Sequence, residues 1–286
     1  MSDSMEQKKP DLRGKVGCIM FTGVLISVII VTVIAILLGF YEKESNLHPA
    51  LVYNMFYLAM GLVAVFLIRY FNISGRALTG SYTKFKENIR YSFLVFPLIL
   101  ISIGTAVLIL YTMSFISEDM FYFYLEMGNN LIEWPAEASP LFHVLMFICI
   151  VVLAPVVEEY LFRGILLSSW TVKWGPARAI ILTSFIFGML HADPVGAFFV
   201  GIVLALIYLK TGSLLLVIFI HMLNNGLAVF FMFGFPNLME FETPDDVRES
   251  FWYIMVLMIL SAVVIWPMIR NLWREKSSSP PLVRDK

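Results

Sequence analysis

A chain of 286 residues that is 59% hydrophobic and only 14% charged, with a mean hydropathy of +0.83, is too apolar for a water-soluble fold, since soluble domains carry about 25% charged residues. Lipid can solvate the outer faces of such a chain, so the composition implies an integral membrane protein. A formal net charge of −1 leaves no basic excess and gives nucleic acid no support as a partner.

Crossing the hydrocarbon core takes about 20 apolar residues in a helix, and eight stretches are candidates. The first, 16–40, is too long for a signal-peptide core and lacks a small-residue cleavage site, which predicts a retained helix. Stretches 50–70 and 91–117 follow. The connection 116–139 is long enough for a lid or an interfacial helix. A fourth helix is predicted over 141–162, and Pro155, which lacks a backbone N–H, predicts a kink just before Glu158. The fifth and sixth, 178–192 and 195–209, are short and separated by His191-Ala192-Asp193-Pro194. Short, interrupted helices suit a cavity wall better than a lipid-facing one, with Asp193 capping or turning the hinge. Stretches 213–233 and 251–269 complete the set. The polar tails 1–12 and 276–286 read as disordered, and Cys18 and Cys149 as small buried residues rather than a disulfide.

Charge placement tests this count. With the N-terminus inside and eight crossings, all of the 20 Lys and Arg residues except Lys43 and Arg248 fall on the inner side. The outer third and seventh connections carry acids instead: Glu118, Asp119, Glu126, Glu133 and Glu137, then Glu240, Glu242, Asp245, Asp246 and Glu249. That bias follows the enrichment of basic residues in cytoplasmic loops and predicts both termini in the cytoplasm. Trp134, Trp170, Trp174, Trp252 and Trp273 lie where interfacial anchors are expected. The expected architecture is all-α and polytopic, with about eight transmembrane helices. It divides into a tail at 1–15, N-terminal helices over 16–130, a core over 131–270 carried by helices four to seven, and a tail at 271–286.

Ionisable residues inside membrane helices are costly and mark functional or structural pairs. Here they concentrate between Glu158 and Asn225. Glu159 and Arg163 are four apart and share a face, which predicts an ion pair along the helix. Glu158 points about 100° away and is free for another partner. Phe187 and His191 repeat the spacing of four, as do His221 and Asn225. Three helices can therefore bring together a carboxylate, two imidazoles and an amide. A carboxylate in apolar surroundings suits a general base, with an imidazole orienting water. A second imidazole and an amide can stabilise an oxyanion. Glu158, His191 and His221 equally match a catalytic zinc shell, although no His-Glu-x-x-His occurs. No Gly-x-Ser-x-Gly elbow is present, and Asp193 alone cannot form an aspartyl dyad.

Glu158-Glu159-x-x-x-Arg163, Phe187-x-x-x-His191 and His221-x-x-x-Asn225, in that order, resemble the three motifs of the CPBP family of CAAX-type prenyl proteases and bacteriocin-processing enzymes. The resemblance covers residues 155–226. It implies an intramembrane endopeptidase of the cell membrane acting on a membrane-associated or lipid-modified peptide or protein. By the same resemblance, Glu158 and His191 activate water, His221 and Asn225 stabilise the oxyanion, and Glu159 and Arg163 support the structure. Whether a divalent metal such as zinc takes part stays open. The alternative is a catalytically silent membrane scaffold or regulator of a partner membrane protein.

Overall fold

The computed structural model describes residues 15–40, 47–130, 138–191, 193–234 and 241–280. The tail 1–12, most of the tail beyond 276, and Lys43, Glu133, Trp134, Glu137 and Glu240 lie outside them. Among the described residues every regular element is helical. Seven helical stretches are long and apolar enough to cross a membrane, and the expected fifth, Pro176–Met189, is shorter at 14 residues. At about 1.5 Å per residue it reaches only roughly 21 Å. The protein is thus an all-α, polytopic membrane protein, with one of the eight expected crossings shortened.

Helices α1 (Val16–Leu37) and α2 (Leu47–Tyr70) form a pair. A Cβ at Gly23 would lie 2.9 Å from Val63 Cγ1, so the two backbones approach closely there. Much of the rest of α1 presents exposed side chains such as Ile30 and Leu37. That face is a lipid face, where exposure of apolar atoms carries no hydrophobic cost. Cys18 is exposed, contrary to expectation, while Cys149 is buried, and both are free thiols.

Two short helices, α3 (Gly75–Thr79) and α4 (Tyr82–Asn88), follow, each capped by a serine, Ser74 and Ser81, whose side chain accepts a backbone N–H. Between them Gly80 adopts φ +75°, and a Cβ there would collide with the Gly212 carbonyl oxygen. This segment therefore packs directly against the turn Gly212–Ser213. A 3₁₀ stretch, Ile89–Leu94, leads into α5 (Val95–Ile116). The connection whose form the sequence left open contains a helix, α6 (Glu118–Asn130).

The fourth crossing runs unbroken from Pro140 to Trp174 but widens into π winding twice. It consists of α7 (Pro140–Phe147), a π-helical stretch Ile148–Leu153, α8 (Ala154–Glu159), a second π stretch Tyr160–Leu167, and α9 (Ser168–Trp174). Pro155 sits in the first turn of α8, directly after the wider π turns. An α-helical proline removes the hydrogen bond to residue i−4 and its ring presses on that carbonyl. A π turn displaces that carbonyl, so the widening accommodates Pro155 where a kink was predicted. The glutamates occupy the short α segment between the two π stretches, a winding that in proteins concentrates at functional sites.

Gly175, at φ +82°, turns the chain into α10 (Pro176–Met189). A second turn leads to α11 (Pro194–Thr211), capped as expected by Asp193, whose Oδ1 accepts the Gly196 N–H at 2.9 Å. Ser102 of α5 donates to the other carboxylate oxygen at 2.8 Å, tying the start of α11 to α5. Helix α12 (Leu214–Gly234) and the long α13 (Pro244–Glu275) complete the fold. Helix α13 crosses α5 closely: Gly104 leaves room for Met258, and Tyr111 stacks on Phe251 with centroids 3.6 Å apart. Lys210 and Glu275 pair at 2.6 Å where α11 and α13 end. In its most apolar window α11 is 67% buried and α1 only 22%, so α11 is the central helix and α1 a peripheral one.

Candidate active site

Arg163 Nη1 donates to Glu159 Oε1 at 2.8 Å, and both side chains are almost completely buried. The predicted i, i+4 pair is therefore formed. Arg163 also donates to the Gly201 carbonyl of α11 at 3.4 Å and stacks over the Phe187 ring at 4.2 Å. Counted in the sequence among the inner-loop charges, Arg163 is instead a core residue, because the helix continues past it to Trp174. Its charge is neutralised inside the protein and does not bear on orientation.

The second partner of Glu159 was not anticipated. His221 Nδ1 lies 2.8 Å from the same Oε1 atom. A carboxylate already accepting from a guanidinium is ionised and accepts again, so His221 Nδ1 carries hydrogen. Glu159 thereby fixes both the charge of Arg163 and the ring orientation of His221.

Glu158 projects to another side, as its spacing predicted. Its Oε2 lies 3.8 Å from His191 Nε2 and 3.8 Å from His221 Nε2. Oε1 accepts a hydrogen bond from the Tyr57 hydroxyl of α2 at 2.8 Å. Oε2 is buried and has no hydrogen-bond partner within the described chain. The two 3.8 Å separations exceed a direct hydrogen bond and are of the kind that a water can bridge.

His191 stands just beyond the end of α10 rather than within it. The last turn tightens, with Leu190 N–H and His191 N–H donating to the Phe187 and Gly188 carbonyls. His191 Nδ1 then lies 2.6 Å from the Phe187 carbonyl oxygen. A carbonyl only accepts, so Nδ1 carries the hydrogen and a neutral ring points the lone pair of Nε2 at Glu158. A Cβ at Gly188 would strike the Pro194 carbonyl oxygen, so glycine there permits the sharp turn that delivers His191. The side chain of His191 is 32% exposed, against 10% for Glu158 and 3% for His221, which makes the His191 side the open side of the cluster.

Phe187 is the hub of this arrangement. Its ring meets Phe162 edge-on at 5.3 Å, His191 at 4.3 Å and His221 at 5.8 Å, with Arg163 above it. Asn225 follows His221 by one turn of α12, and its amide donates at 3.0 Å to the carbonyl of Ile150, within the first π stretch. A change from α to π winding disturbs the regular pairing of carbonyls, and Asn225 supplies a donor to one of them. Its Oδ1 accepts from Asn224 at 3.4 Å. The structure thus unites Glu158, His191 and His221 directly, whereas Asn225, one turn beyond His221, is bonded to Ile150 on the helix that carries the glutamates.

The hairpin sets His191 level with Glu158. From Glu158 to Trp174, and from Pro176 to His191, the chain covers roughly 24 Å and 22 Å at about 1.5 Å per residue. Equal arms on either side of Gly175 bring the two residues level. The fourth helix, expected over 141–162, in fact extends to Trp174. Among the described residues, no group of three or more His, Cys, Asp or Glu side chains is arranged to hold a metal ion, so no step is derived through one.

Residues 140–227 match the family described as Type II CAAX prenyl endopeptidase Rce1-like. The match spans the fourth crossing through Asn225 and excludes α1 to α6. No curated protein and no solved structure matches the chain. This region is therefore similar to the Rce1-like endopeptidase family, consistent with the CPBP/CAAX protease resemblance and with CAAX-type intramembrane endopeptidases in general.

Proposed function

We propose that the chain hydrolyses a peptide bond of a membrane-associated or lipid-modified substrate with a water activated by Glu158 and His191. The observation that carries this reading is the unpartnered Glu158 Oε2 facing the Nε2 atoms of His191 and His221 at 3.8 Å each. A water between Glu158 and His191 donates one hydrogen to Oε2 and the other to the Nε2 lone pair, leaving its own lone pairs for the carbonyl carbon. Glu158 takes the proton as the C–O bond forms and returns it to the departing amine, so the base is restored at the end of the cycle.

His221 and Asn225 are assigned to the developing oxyanion. Asn225 has a second amide N–H beyond the one given to Ile150. His221 gives Nδ1–H to Glu159, so donation from Nε2 requires the doubly protonated ring.

The test is cleavage of a labelled, membrane-anchored peptide library by the reconstituted protein, with Glu158→Gln in parallel. Loss of a general base lowers the rate by about 10²–10⁴-fold. Undiminished cleavage by the variant would remove Glu158 from the role of base. Absence of cleavage in both proteins favours the silent scaffold.

A further inference from the structure

Tyr57 lies on α2, outside residues 140–227, yet its hydroxyl donates to Glu158 Oε1 at 2.8 Å. Around it, Ala50, Asn54, Tyr57, Gly61 and Ala64 recur every three or four residues, so they form one stripe along α2. The stripe docks on the π-interrupted helix at three levels. Asn54 donates to the Leu145 carbonyl at 3.1 Å and to its own Ala50 carbonyl at 2.8 Å. Tyr57 reaches Glu158. Gly61 sits against Val157, where an added Cβ would lie 3.5 Å from Cγ2. Small residues and single polar side chains at such spacing are how helices dock within a membrane. The Asn54 contact fixes the height of α2 on its neighbour, and the Tyr57 hydroxyl meets the carboxylate as a consequence.

We propose that Tyr57 is a positioning residue for hydrolysis: by holding Oε1 of Glu158 it keeps Oε2 turned toward the two imidazole Nε2 atoms. The proposal rests on Glu158 being the base. The terminal torsion of a glutamate is broad, so a carboxylate without such a partner rotates freely between its two oxygens. Among the described residues Tyr57 holds Oε1, whereas His191 and His221 both face Oε2. The N-terminal helices then contribute to the chemistry as well as to the membrane anchor.

Tyr57→Phe keeps the ring and removes only the hydroxyl. Misalignment of a reacting group by about 1 Å can cost ~100-fold in rate, so kcat is expected to fall about 10- to 100-fold with KM unchanged. In the Glu158→Gln background the same change is expected to have no further effect, because the two residues act as a unit. An unchanged kcat, or a fall in KM and kcat together, overturns the proposal. So does a Tyr57→Phe loss that persists in the Glu158→Gln background. Persistence of full cleavage in Glu158→Gln alone identifies failure of the underlying reading. A readout independent of turnover is the infrared carboxylate band that Glu158→Gln abolishes: Tyr57→Phe is expected to shift it, and an unshifted band again overturns the proposal.

Discussion

Two adjacent glutamates differ in what their removal should do. Glu159 accepts from Arg163 and His221 at the same oxygen in a fully buried setting. Taking away one member of a buried ion pair costs about 3–5 kcal/mol, because the remaining charge is left without compensation. Glu159→Gln is therefore expected to destabilise the protein by that order, visible as an earlier thermal transition in detergent. Glu158 has no cation bonded to it, and glutamine at that position still accepts from Tyr57. Glu158→Gln should keep the wild-type transition while losing cleavage. Equal destabilisation by the two variants would contradict this division between a structural and a chemical carboxylate.

The winding of the fourth crossing makes its own prediction. Each π turn accommodates more chain than an α turn, and Ile148–Leu153 lies between the Leu145 carbonyl held by Asn54 and the carboxylate held by Tyr57. Inserting an alanine after Val152 would add a residue beyond those the wider winding takes up and rotate one end against the other by about 100°. Asn54 and Tyr57 could then no longer both reach their partners. The insertion is expected to abolish cleavage while the far-ultraviolet circular dichroism stays helical. Wild-type cleavage in the insertion variant would show that this stretch does not set the register of the site.

For the whole molecule, the placement of basic residues bears on which side faces the cytoplasm. Removal of Arg163 from the loop charges leaves Arg69, Arg76, Lys84, Lys86, Arg90, Lys173, Arg178, Lys210, Arg270 and Arg274 near one set of helix ends, so the orientation expected from sequence keeps its support. Asp119, exposed at the start of α6, then lies on the opposite side. Asp119→Cys in a Cys18→Ser background, which removes the exposed native thiol, should react with an impermeant thiol reagent only from the non-cytoplasmic side. Reaction from the cytoplasmic side would reverse the orientation.

The sequence by itself determined the membrane class, the order of the apolar helices, and the pairing of Glu159 with Arg163. These follow from composition and from a spacing of four on one helix, which are local properties. It also separated Glu158 from Glu159, since adjacent helical positions point apart. Four features depended on contacts between distant segments. The pairing of Glu159 with His221, the approach of Tyr57 and the hub position of Phe187 join separate helices. The level placement of Glu158 and His191 follows from a hairpin whose first arm extends well beyond the expected end. The Asn54 and Tyr57 stripe on α2 gains its partner only through docking on a π-interrupted neighbour. Periodicity reports which face a residue occupies; the packing of helices decides what that face meets.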